Sequence, residues 1–162
     1  MSVMQRLSDA LAQTDGSVAI ASAGWVIPTV QAIHIVAIAI VMSATAMLNL
    51  RLAGFIGQDS SVRRLANSSL PWLWWALPVL LATGLVMILG EPARELTNAY
   101  FWSKMAMVLL AIALTMVLQR LLDDCPYREM APAKRRATRA ISLLSLAVWL
   151  AIVFCGRWIA YS

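Results

Sequence analysis

The chain has 162 residues, 61% of them hydrophobic and only 13% charged, about half the charged share of an ordinary globular domain. So few charges cannot clothe a soluble protein of this size, and so apolar a chain is not intrinsically disordered. With a mean hydropathy of +0.76, an integral membrane protein is the class that remains. The net charge of +5 does not point to nucleic acid. Its basic residues stand between apolar segments, where they set topology and meet anionic lipid.

In chain order, Val3, Met4, Leu7, Ala10 and Leu11 share one helical face opposite Gln5, Arg6, Ser8 and Asp9. That pattern predicts a short interfacial helix. The first 20 residues lack the basic and apolar regions of a cleavable signal. Asp15-Gly16-Ser17 reads as a turn into the first span. Four apolar stretches, at about 26–50, 70–89, 101–121 and 141–160, are each long enough to cross about 30 Å of hydrocarbon. In lipid they must be helical, because every backbone polar group needs an internal partner. The expected fold is a single all-α domain, a four-helix membrane bundle with a short N-terminal interfacial helix.

Arg51, Arg63 and Arg64 lie between spans one and two; Arg120, Arg128, Lys134, Arg135, Arg136 and Arg139 lie between three and four. These two groups, three plus six, hold nine of the thirteen basic residues. The positive-inside rule puts both loops in the cytoplasm and both termini in the periplasm of a bacterial inner membrane. Trp25, Tyr100, Trp102, Trp158 and Tyr161 mark the outer ends of spans, and Trp72, Trp74 and Trp75 the inner end of span two. Interfacial anchoring explains them. Trp149, mid-span, is expected inside the bundle. Cys125 falls in a charged loop and Cys155 in an apolar run, so no disulfide is expected between them.

Polar groups inside the bilayer are expensive and invite explanation. His34 is the only histidine, about six residues past Pro28. Gln31 precedes it by three positions, and Ala37 and Ala44 keep its face slim. Three readings are open. His34 is a structural histidine bonded to Gln31 or to a hydroxyl on another helix, a ligand to metal, foremost haem iron, or a proton relay. Lys104 and Arg157 sit within about a turn of the outer helix ends. Either they snorkel to the headgroups, or they form an anion site suited to haem propionates. The nine methionines form no face-concentrated repeat and read as packing residues rather than a copper path. There is no phosphate loop, zinc-protease motif or nucleophile elbow. The absence of acidic residues from the spans argues against an ion-coupled transporter.

The stretch Trp25 to His34, followed by Leu48-Asn49-Leu50-Arg51-Leu52-Ala53-Gly54, resembles a family of small, largely uncharacterised bacterial four-helix membrane proteins. Asn49 stands where that family often has Asp. The likeness continues through Pro71-Trp72-Leu73-Trp74, Thr83-Gly84 and Gly156-Arg157-Trp158-Ile159-Ala160-Tyr161. More distantly, the layout is similar to HemJ-type protoporphyrinogen oxidases and the membrane domain of the copper-resistance protein CopD. The HemJ likeness implies haem b held at His34, with Lys104 matching by placement. His34 stands alone, so haem binding is what carries over, rather than oxidase activity or copper import. The leading expectation is a haem b-binding redox protein with His34 on the iron, Gln31 accepting from its other ring nitrogen, and Lys104 and Arg157 near the propionates. The sixth ligand would be absent, a methionine or water, or His34 of a second subunit in a homo-oligomer. The rivals are a cofactor-free anchor or assembly subunit, and a CopD-like metal permease working with a periplasmic partner.

Overall fold

The computed structural model describes residues 3–55, 62–124, 127 and 129–158. The described residues form seven helices: α1 (Val3–Ala12), α2 (Asp15–Ser22), α3 (Val26–Leu52), α4 (Val62–Gly90), α5 (Pro92–Leu96), α6 (Ala99–Asp124) and α7 (Pro132–Trp158). Among the described residues, α3, α4, α6 and α7 are long and apolar enough to cross a membrane. They build the four-helix bundle that the hydropathy runs imply.

The long helices overrun the apolar runs at the loop end, where α3 connects to α4 and α6 to α7. α4 begins eight residues before the run starting at 70, and α7 nine residues before that starting at 141. Nothing between Val62 and Leu70 breaks a helix, and Pro132 opens α7 where a missing N–H costs nothing. Hydropathy measures immersion in lipid; the helix continues through the headgroups.

α3 packs along α4, α6 along α7, and α3 also along α7, whereas α4 and α6 meet only briefly. The seam on α3 is Ile27, Val30, His34, Ala37, Val41, Ala44 and Leu48, which alternates steps of three and four. The bundle is apolar on the outside. Trp75 is 77% exposed, and Leu109 and Phe154 are each 70% exposed, as lipid-facing positions require. Its interior holds neutral polar groups: Thr45, Asn49, Thr115, Thr138, Ser142 and Ser145 are all buried. Thr45, Thr115 and Thr138 donate to the carbonyls of Val41, Ala111 and Lys134. Small hydroxyl residues of this kind let helices approach closely without leaving a polar group unpaired. Asn49 Nδ2 donates to Ser145 Oγ at 3.2 Å. Trp149 is buried in the core as expected, and its Nε1 and the Oδ1 of Asn49 have no hydrogen-bond partner among the described residues.

Several local expectations are corrected. Asp15-Gly16-Ser17 is the first turn of α2 rather than a turn between elements. Thr14 caps it, its hydroxyl accepting from Ser17 N at 3.3 Å, and Asp15 complements the helix dipole. Trp74 is half-buried between the two main core clusters, while Trp72 and Trp75 point outward. α3 ends in a Schellman motif: Phe55 N donates to Leu50 O at 2.9 Å, and Gly54 takes a φ of 86°. Tyr127, between α6 and α7, bonds across to this helix end, donating to Leu52 O at 2.9 Å.

At the other end, which we call the terminal end, α1, α2 and α5 cover the bundle. α1 packs on α5, and α2 on α4. Ser17 donates to Leu89 O at 2.6 Å. Gly90 has no room for a Cβ, because Ile27 and Ile20 press against it. α1 buries Ser8 and leaves Val3, Met4 and Leu7 exposed. Gln5, Arg6 and Asp9 are exposed as well, and Leu11 of the apolar face packs inward against Leu96 and Phe101. Val18 on α2 is exposed beside it in sequence order.

Candidate functional site at the terminal end

His34 occupies a seam position of α3 and is half-buried against α4. Its Nδ1 lies 2.6 Å from Thr83 Oγ1. The Thr83 hydroxyl has a single proton, and Val79 O waits 2.7 Å away to accept it. With that proton on Val79 O, Thr83 Oγ1 accepts from His34 in the Nδ1–H tautomer, which leaves Nε2 as the bare lone pair of a neutral imidazole; in the other tautomer the hydroxyl donates to Nδ1. A Cβ added at Gly84 would lie 3.9 Å from His34 Cε1, so Thr83 and Gly84 together set the ring against α4.

The hydrogen-bond partner expected one turn back is not the one found. Gln31 is exposed, because the seam passes through Val30 and leaves Gln31 one position outside it. Of the two structural partners considered for His34, the hydroxyl on another helix is the one the fold supplies.

Lys104, in the second turn of α6, is half-buried, and its Cδ is 3.9 Å from the position a Cβ would take at Gly156 of α7. It lies within electrostatic range of His34, Glu95 and Cys155. Arg157 is exposed in the last turn of α7, next in sequence to the Gly156 that Lys104 touches. Cys155 is a free, half-buried thiol, while Cys125 falls outside the described residues. Tyr161 does too. Trp25, Trp102, Tyr100 and Trp158 are exposed around this end, as interfacial anchors are.

Glu95 was missed. It stands between two apolar spans and so looks like loop charge, yet α5 folds it under the end of the bundle and leaves it 6% exposed. Pro92 at the start of that short helix is the signal for a helical return. Glu91 and Arg94 pair with each other on its outer side, leaving Glu95 on the inner one. Leu96 and Phe101 then close over the junction, with Leu11 and Met105 against them.

The bond between His34 and Thr83 thus stands within electrostatic range of Lys104, which is in turn within range of Glu95 and Cys155. The arrangement offers an imidazole, an amine, a carboxyl group and a thiol. It can ligate through a single imidazole, attract an anion at Lys104, or exchange protons. Among the described residues, no three His, Cys, Asp or Glu side chains gather to cage a bare metal ion. A site that used only side chains of this chain to hold zinc or copper is therefore not assembled there.

No curated protein and no solved structure matches the chain. A family model does match, over residues 11–162, which takes in α2 to α7 and every residue of the site. The chain belongs to a family of unknown function (DUF6644).

Proposed function

We propose that the protein is a haem b-binding redox protein of the bacterial inner membrane, with both termini periplasmic and the His34 site near the periplasmic face. The observation that carries this reading is the 2.6 Å contact between His34 Nδ1 and Thr83 Oγ1. A haem-ligating imidazole coordinates through one nitrogen and is oriented by a hydrogen bond from the other, and in its Nδ1–H tautomer His34 has that bond to Thr83. Nε2 would take the iron. Haem, when bound, supplies one-electron chemistry at a potential set by its ligands and surroundings.

The chain's own residues would hold the group. Thr83 would hold the His34 ring through Nδ1; Lys104 and Arg157 would attract the propionates; Gly84 and Gly156 keep two helix faces thin beside them. Met87, one turn beyond Thr83 on α4 and half-buried, would be a methionine candidate for holding the group together with His34, or His34 of a second copy would serve. The distant likeness to HemJ-type oxidases, which bind haem b, agrees with this reading. Nine of thirteen basic residues at the loop end support a cytoplasmic placement of that end.

Visible spectroscopy of the protein purified with ample haem supply tests the proposal. A Soret band is expected, and His34→Ala should remove it. A native protein without Soret absorption overturns the reading and favours a cofactor-free assembly subunit. A band that survives His34→Ala keeps the haem and moves its ligand.

A further inference from the structure

A second site lies at the opposite end of the bundle and does not depend on haem. α4 and α6 meet only briefly, and near the loop end they leave a cleft of about 180 Å³ lined by Ala66, Asn67, Leu70, Pro71, Trp74 and Gln119. Its lining is divided by chemistry. Leu70, Pro71 and Trp74 form the side toward the membrane centre; Asn67 and Gln119 bring an amide from each helix. Neither amide has a hydrogen-bond partner among the described residues, although both line the same opening. Arg64 stands one turn below Asn67 on the same face of α4, and Arg120 follows Gln119 on α6.

Depth decides what fits. The apolar run of α4 begins at about Leu70 and that of α6 ends at about Leu121, so the amides sit where acyl chains give way to headgroups. A ligand there must be apolar above, hydrogen-bond accepting at the amides, and anionic toward the two arginines. We propose that this cleft binds the headgroup of an anionic phospholipid. The phosphate would accept from Asn67 Nδ2 and Gln119 Nε2, with Arg64 and Arg120 balancing its charge and the acyl chains rising along the seam that α4 and α6 leave open. Phosphate oxygens are the acceptors that amide and guanidinium donors recognise together, and juxtamembrane arginines favour anionic lipid.

Thermal unfolding of the delipidated full-length protein in mixed micelles tests this site. Phosphatidylglycerol at about 100 times its dissociation constant should raise Tm by about 5–10 °C, and phosphatidylcholine should not. Asn67→Leu with Gln119→Leu should reduce the rise to the phosphatidylcholine level. Arg136→Gln, which removes a charge from α7 outside the cleft, should leave it intact. Equal stabilisation by both lipids overturns the proposal. So does an Arg136→Gln loss as large as that of the cleft variants, which would make the effect diffuse electrostatics. Inorganic phosphate alone reproducing the rise would assign the cleft to a free anion instead. A readout that needs no variant is native mass spectrometry of the wild-type protein from micelles of both lipids. One phosphatidylglycerol per chain should be retained; retention that only mirrors the micelle composition counts against the site.

Discussion

The two halves of the bundle interior both bury polar side chains, but of different kinds. Toward the loop end they are neutral: Thr45, Asn49, Thr115, Thr138, Ser142 and Ser145. Most bond to a carboxyl-directed carbonyl of their own helix one turn back, and each allows two helices to come close. Toward the terminal end buried Ser8, Ser17 and Thr83 are joined by titratable groups: buried Glu95 of α5 and half-buried His34, Lys104 and Cys155 of α3, α6 and α7. Hydroxyls satisfied by their own backbone need no further explanation than packing. Ionisable groups held at membrane depth cost far more, and their persistence points to a ligand or a transferred charge. An apolar layer of Val41, Ala44, Leu73, Ala76, Ala111 and Val148 lies between the two sets.

The comparison can be broken outright through topology. If the titratable half faces the periplasm, a cysteine introduced next to Arg135, in a background without Cys125 and Cys155, should be shielded from an impermeant thiol reagent in intact cells. One introduced next to Glu91 should be labelled. The reverse pattern would turn the whole site toward the cytoplasm.

Next in size is Thr83→Val, which keeps the shape and removes the hydroxyl bonded to His34 Nδ1. Outer-shell partners of a ligating histidine are worth about 10–100-fold in affinity. Haem titration of this variant should show a loss in that range with secondary structure unchanged. Gln31→Ala, on an exposed position, should titrate like the wild type. An equal loss in both would mean that the Thr83 bond is not what orients the ring.

Lys104 and Glu95 sharpen the contrast further. Lys104→Met removes a charge-assisted partner worth about 1.5–3 kcal/mol, and haem retention through detergent purification should fall accordingly. Glu95→Gln should move retention the other way, because it frees Lys104 from a competing carboxylate. If Glu95→Gln instead lowers thermal stability and leaves haem retention alone, the two residues are a structural pair and Lys104 leaves the site.

The smallest effect belongs to the neutral half. A double-mutant cycle on Asn49→Ala and Ser145→Ala, read by thermal unfolding in detergent, should give a coupling of about 0.6 kcal/mol, the usual scale for interhelical hydrogen bonds in membranes. Neither substitution should change a Soret band. A coupling several times larger, or a spectral change, would mean that Asn49 also belongs to a functional site.

Hydropathy alone determined that this chain makes four membrane helices, because the bilayer leaves a continuous apolar run no other way to satisfy its backbone. It also marked His34, since one imidazole in a span stands out from any background. Seam spacing of three and four residues was enough to place Ala37 and Ala44 beside it, but the same spacing put Gln31 on its face, and only the packed structure shows Gln31 exposed. Which hydroxyl would meet the imidazole was decided only by the tertiary structure. α4 carries its own threonine at Thr83, but its register against α3 depends on Gly90 admitting Ile27 and on α2 fastening to Leu89. The inward turn of Glu95 was likewise unreadable, because a charge between two spans is ordinary until a short helix folds back beneath the bundle. Local pattern sets which residues form helices and which face each one buries; only packing between helices distant in sequence decides which buried groups meet.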